Sequence, residues 1–139
     1  MPHLATYGTL MRDFEAQQHL GLADALTFVG PCRIRGVLFD LGSFPGAMPA
    51  ADVPKDLRAS LTAPPVVHGE LFRLEERDVV SVLDQYEGYD PDRPATSLFV
   101  RRRTVLIEPE GQEAFVYWYN RSVDGKPRLP SGDWRNRGE

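Results

Sequence analysis

The sequence predicts an α+β fold, a small mixed β-barrel or strongly curled sheet flanked by short helices, and three observations carry that expectation. Runs rich in β-branched, aromatic and apolar residues recur at positions 3–7, 26–29, 34–41, 66–74, 97–107 and 114–119, separated by Gly, Pro and acidic turns. Two longer segments, one after Gly8 and one after Glu75, carry helical spacing instead. At 139 residues the chain can bury roughly two thirds of its unfolded surface in one core and is too short for two ordinary domains. Residues 1–139 are therefore expected to form a single domain.

In chain order, His3 to Tyr7 read as a short strand. Gly8 then permits a turn in which successive main-chain N–H groups converge on an anion. Asp13 is the candidate N-cap of a short helix containing Phe14, Ala16, Gln17 and Leu20, with Gly21 as its stop. Residues 46–65 are rich in Ala and Pro, with one short helical piece at 54–61 and Asp52 as a nearby cap. They read as a surface excursion, either a variable insertion or a lid. Glu75, Glu76 and Asp78 open the second helix at its favourable end. Val79, Val80, Val82, Leu83 and Tyr86 give it an apolar surface to lay beside the sheet, and Gly88 ends it. The tail from Asp124 is polar and broken by Pro127 and Pro130, with Trp134 as its anchor.

A formal net charge of −4 at pH 7 argues against a nucleic-acid-binding surface, which needs Lys and Arg in excess. No apolar run reaches spanning length and no basic, apolar, small-residue signal opens the chain, so a cytoplasmic protein with no membrane partner is expected. Cys32 has no second cysteine to pair with and reads as a small buried residue. His3, His19 and His68 lack metal-ligand spacing, so no metal is expected. In the run Arg101-Arg102-Arg103, strand alternation divides the guanidinium groups between two faces, which suits a solvated or ion-paired strand. Glu70, two positions after His68 on one strand face, reads as a structural or binding group.

The sharpest chemical signal is Glu87. With Val80 and Leu83 it follows the i, i+3, i+7 spacing of one helical stripe, so an acid stands where the apolar face predicts a core residue. Burial there raises a carboxyl pKa, and the partial negative charge of the helix C-terminus adds to the effect. Such a group can serve as general acid and base near neutral pH. Taken alone, Glu87 also fits a solvated acid beside a helix cap, and Tyr7-Gly8-Thr9-Leu10 an ordinary strand-ending turn.

Seven segments, taken together, shift that choice. Tyr7-Gly8-Thr9-Leu10 and Leu83-Asp84-Gln85-Tyr86-Glu87-Gly88 resemble the YG[ST]L loop and the LDxxE helix end of the gamma-glutamylcyclotransferase-like superfamily. Between them, residues 36–46 resemble its G-x-L-[YF]-D-L-G-x-[YF]-P-G stretch and residues 67–72 its V-x-G-E-[LV]-[YF] strand. Residues 99–105 follow its Y-x-R strand, with Phe99 where tyrosine is usual, and residues 116–119 and 131–134 fit its bacterial members. The resemblance implies a small-molecule γ-glutamyl substrate, whose polar end is held by main-chain N–H groups of the Tyr7 to Leu10 loop and the Thr9 hydroxyl. Tyr7 would form part of the wall, and Tyr119, rather than Tyr117 on the same strand face, the pocket. It implies that Glu87 takes a proton from the substrate's α-ammonium group, the amine attacks its own γ-carbonyl, and the acid then protonates the departing amine. The product is 5-oxoproline, with no cofactor, metal or protein nucleophile. Two other readings share the pocket: a non-catalytic metabolite-binding module, and a γ-glutamyl hydrolase or acyltransferase.

Overall fold

A strand of four residues, His3–Thr6 (β1), lies at the centre of the sheet in this computed structural model, which describes residues 2–8, 10–11, 24–59, 61 and 64–136. The other elements in chain order are Leu26–Arg35 (β2), Val37–Asp40 (β3), Pro45–Met48 (β4), Lys55–Ala59 (α1), Val66–Leu74 (β5), Val79–Glu87 (α2), Phe99–Val105 (β6) and Glu113–Tyr119 (β7). Five strands form a mixed sheet in the order β2-β5-β1-β7-β6, and β3 pairs with β4 in a separate hairpin. β1 runs antiparallel to β5, with Thr6 opposite Glu70, and parallel to β7, with Leu4 opposite Phe115. The helix expected after Gly8, with Asp13, His19 and Gly21, lies outside the described residues.

The mixed sheet and short helices agree with the α+β expectation, but the sheet does not close into a barrel. β2 and β6 are its two edges. Arg33 of β2 is joined to the chain beyond β6 by an isolated bridge, through Arg33 N–H to Glu108 O at 2.9 Å and Ile107 N–H to Arg33 O at 3.0 Å. The reason is local: Leu106 N–H already bonds Gln112 O at 2.8 Å, so the chain turns back into β7 before β6 can run along β2.

Two further differences have clear causes. Gly30-Pro31 does not split β2, because a bulge between Phe28 and Gly30 absorbs the irregularity and an edge strand tolerates a residue without an N–H. Residues 46–65 are also less of an excursion than their composition suggests. Pro45–Met48 pairs with β3, a 3-10 turn follows at Ala50–Asp52, and Val53 is buried against Val37, Phe39 and Val123.

Strand alternation sorts the core onto two faces. Ala5, Ile34, Val67, Leu71, Val116 and Trp118 pack with Leu38 and Ala47 of the hairpin. Leu4, Phe72, Phe99 and Tyr117 pack beneath Val79 and Leu83 of α2. The helix begins at Val79 rather than at the acidic run, and Asp78 at its N-cap makes no side-chain cap hydrogen bond. It ends as expected at Gly88, whose φ of 68° lies in the left-handed region. No described helix is long and apolar enough to cross a membrane.

The tail is fastened to β5. His68 N–H donates to Gly132 O at 2.7 Å, Arg135 Nη2 donates to the buried Glu70 Oε2 at 3.0 Å, and Trp134 is 1% exposed. Glu70 thus has a structural partner, and Cys32 nearby is buried, its thiol pushed up to about 12 by desolvation and then by the charge of Glu70. Trp134→Ala should lower stability by about 3–5 kcal/mol, as for other buried large-to-small changes. Urea unfolding followed by circular dichroism measures this, and a loss under about 1 kcal/mol would show that the tail is not integral to the core.

Candidate functional site

The C-terminal end of β1 and the C-terminal end of α2 meet at a cavity of about 350 Å³. β1 supplies Ala5 and Thr6, and the turn that follows supplies Tyr7, Gly8 and Leu10, with Met11 N–H bonded to Gly8 O at 3.0 Å. Gly8 is not at positive φ, so the turn itself does not demand glycine. Close approach does: a Cβ there would lie 2.7 Å from Pro45 Cγ and 3.0 Å from Pro45 Cδ, in a ring that cannot swing aside. Pro45 is held by the β3–β4 hairpin, whose turn is set by Gly42 N–H on Asp40 Oδ1 at 2.8 Å and Leu41 N–H on Phe44 O at 3.1 Å. That turn brings Ser43, Phe44 and Pro45 to the cavity, and Leu98 and Phe99 line it at the start of β6.

Glu87 is the last residue of α2 and lines the cavity beside Tyr86. Its carboxyl makes no hydrogen bond or ion pair with the described residues. Burial pushes its pKa up to about 8. The Thr6 hydroxyl, buried in the same wall, likewise has no protein partner among the described residues.

Two tyrosines connect the surrounding elements. Tyr7 Oη donates to the Tyr117 carbonyl oxygen at 2.6 Å and accepts from Ala47 N–H at 3.1 Å, which ties the β1 end to β7 and β4. Tyr117 Oη donates to Asp84 Oδ1 at 2.5 Å. Asp84, 7% exposed on α2, is gripped by Arg101 of β6 through Nε at 2.9 Å and Nη2 at 3.3 Å. Both phenols have raised pKa values, chiefly from burial. The Asp84 hydrogen bond and charge add to the effect at Tyr117, and the Glu87 charge adds to it at both. Hydrogen bonding to Asp84 raises the Arg101 pKa.

Of the residues singled out from sequence, Tyr7, Gly8, Leu10 and Glu87 line one cavity, while Thr9 lies outside the described residues. Tyr119 does not line it: its ring packs edge-on to Phe99, 5.5 Å between centroids, and Tyr117 takes the lining position two residues earlier. Asp84, Ser43, Phe44 and Phe99 were not anticipated at the site. The Gly42-Ser43-Phe44-Pro45-Gly46 turn signal was readable, but nothing local says that this turn folds over Gly8. Among the described residues no group of three or more His, Cys, Asp or Glu is placed to hold a metal ion.

Two outcomes follow from this geometry. Gly8→Ala should weaken ligand binding in the cavity by about tenfold or more with a smaller effect on folding, because the new methyl group displaces Pro45. Calorimetric titration beside thermal unfolding checks it, and unchanged affinity in the folded variant would remove Gly8 from the site. The second concerns pH. Between the ordinary carboxyl range and about 8, the folded protein holds a Glu87 proton that the unfolded chain releases, so this group's contribution to stability falls as pH rises through that window. Glu87→Gln lacks the linkage and should gain on the wild type by more than about 1 kcal/mol across it. Urea midpoints over a pH series read the difference directly, and a pH-independent gap would mean that Glu87 is not desolvated.

Comparison with known proteins agrees with the fold and with the motifs. Over residues 4–136 the sequence matches the family described as gamma-glutamyl cyclotransferase, AIG2-like. The gamma-glutamylcyclotransferase family protein YtfP of Escherichia coli (strain K12) is 29% identical over 100 residues, which are 72% of this chain and 68% of that protein. The solution structure of protein ytfP from Escherichia coli superposes with a TM-score of 0.65 at 25% identity, covering 99% of both chains. An AIG2-like protein from Mus musculus superposes with a TM-score of 0.67, covering 99% of this chain and 90% of that one. At 16% identity it shares the fold alone. Because the family match leaves out only three residues at each end, the chain belongs to the gamma-glutamyl cyclotransferase, AIG2-like family.

Proposed function

We propose that the protein is a cyclotransferase that converts a γ-glutamyl amine or γ-glutamyl amino acid to 5-oxoproline and the free amine, with Glu87 as general acid and base. The observation that carries this reading is the Glu87 carboxyl: it lines a cavity of suitable size and pairs with no cation among the described residues, and burial pushes its pKa up to about 8. Family membership supports the same reaction class.

In this reading the substrate's α-carboxylate lies against the main chain of the Tyr7 to Leu10 turn, and its γ-carbonyl and α-nitrogen fold toward Glu87. The ionised carboxyl removes a proton from the α-ammonium group. The freed nitrogen attacks the γ-carbonyl, and the protonated acid returns the proton to the leaving nitrogen as the C–N bond breaks; the ring nitrogen then passes its second proton, through the re-ionised carboxyl, to the departing amine, which leaves as an ammonium ion. Nucleophile and electrophile are parts of one molecule, so the protein supplies folding and proton transfer rather than a nucleophile. The apolar walls from Phe44, Pro45, Leu98 and Phe99 exclude water that would divert the reaction to hydrolysis.

The test is a mass-spectrometric screen of γ-glutamyl compounds with purified protein, quantifying 5-oxoproline and free glutamate. Wild type should form 5-oxoproline, with kcat/KM rising with pH through about 8 as Glu87 ionises. Glu87→Gln should lose about 10²–10⁴-fold in rate while remaining folded. An N-acetylated γ-glutamyl compound should be inert, since its amide nitrogen is not a nucleophile. Amine release from that blocked compound would establish attack by water or by the protein, and binding without any product would establish a metabolite-binding module.

A further inference from the structure

Three tyrosines line the cavity; Tyr86 is largely exposed, and the hydroxyls of the two buried ones, Tyr7 and Tyr117, are in different states. Tyr7 Oη both donates and accepts, to Tyr117 O and from Ala47 N–H, so it is occupied by the main chain. Tyr117 Oη donates its one hydrogen to Asp84 Oδ1 and accepts none among the described residues. The direction of that bond cannot reverse. Asp84, as a carboxylate, has no hydrogen to give, and Arg101, which holds both of its oxygens, is a donor only. The phenol oxygen therefore has only lone pairs left to offer, and donating to an anion makes it a stronger acceptor.

We propose that Tyr117 Oη receives the α-ammonium group of the bound substrate, with Asp84 and Arg101 as positioning residues that fix the phenol as an acceptor. The inference rests on the γ-glutamyl reading of the cavity and adds the group that recognises the amine. Glu87 and Tyr117 line the same cavity, so one ammonium group bound there can meet both. After one hydrogen passes to Glu87, the nitrogen keeps another to donate to Tyr117, and its lone pair is free for the γ-carbonyl. Orientation of the nucleophile then comes from Tyr117 and proton removal from Glu87.

The experiment is calorimetric binding below neutral pH in the Glu87→Gln background, so that ligand is not consumed. Two probes are compared, γ-glutamyl methylamide and glutaric acid monomethylamide, which differ only in the α-ammonium group. The parent should bind the ammonium-bearing probe about tenfold or more tightly than the other, the scale of a hydrogen bond to a charged group. Tyr117→Phe should shrink that ratio to within about twofold while changing affinity for the second probe little, a pattern that lost packing alone would not produce. Asp84→Asn should shrink it in the same direction, and it serves as the second variant if Tyr117→Phe loses its native circular dichroism. An undiminished ratio in a folded Tyr117→Phe protein, or no discrimination by the parent, overturns the proposal and leaves the γ-glutamyl reading standing. Failure of the parent to bind either probe overturns both.

Discussion

A carboxyl group in a cavity keeps its proton near neutrality only while no cation can reach it, and the site depends on where Arg101 goes. The guanidinium lies on β6 near the end of α2, yet it is engaged by both oxygens of Asp84 and packs over the rings of Phe115 at 5.0 Å and Tyr89 at 5.6 Å. Asp84 stands one helical turn before Glu87. It holds the Arg101 charge in a two-pronged pair and, at the same time, fastens the helix to the sheet. A buried ion pair contributes little net stability once desolvation is counted. Here its consequence is selective, because among the described residues one of two acids on the same helix end is paired and the other is not.

The sheet topology makes the arrangement rigid. A parallel β1–β7 contact sets the end of β1 alongside the middle of β7, so the Tyr7 hydroxyl reaches the Tyr117 carbonyl across 110 residues of sequence. The same hydroxyl accepts from Ala47, which brings the β3–β4 hairpin against the turn. Two glycines permit that approach. Gly8 leaves room for the Pro45 ring, and at Gly46 a Cβ would lie 2.9 Å from Tyr119 Cβ. Tyr119 is thus a support for the hairpin floor, which explains why a tyrosine on the right strand face does not line the cavity.

What could be read from the sequence is what local chemistry decides. Val66–Leu74 forms the strand that its composition and flanking turn residues indicate. Gly88 ends α2 in a left-handed cap, because only glycine adopts that geometry without strain. Glu87 was visible as an acid on an apolar stripe. β4 was not, because Pro45-Gly46-Ala47-Met48 lacks β-forming residues and becomes a strand by pairing with β3 and packing on β7. Barrel closure was equally hidden, since it turns on how soon the chain reverses after Val105. Nothing local marked Asp84 for burial, which is intelligible only with Arg101 and Tyr117, 17 and 33 residues away.

Pairing Asp84 with Arg101 also sets the charge that an incoming substrate meets. A γ-glutamyl compound carries an ammonium group and a carboxylate within a few bonds of each other, so a cavity of either net sign would favour one and repel the other. With Glu87 protonated at neutral pH by burial, the lining described for the cavity presents hydroxyls, main chain and apolar surface and no unpaired charge. Charge develops there only when Glu87 gives up its proton, and in the proposed reaction the ammonium proton is what Glu87 next takes up. The low dielectric that costs Glu87 its ionised form also strengthens its attraction for that ammonium group once ionised. Desolvation therefore acts twice, holding the resting site neutral and raising the basicity of the group that must accept the proton.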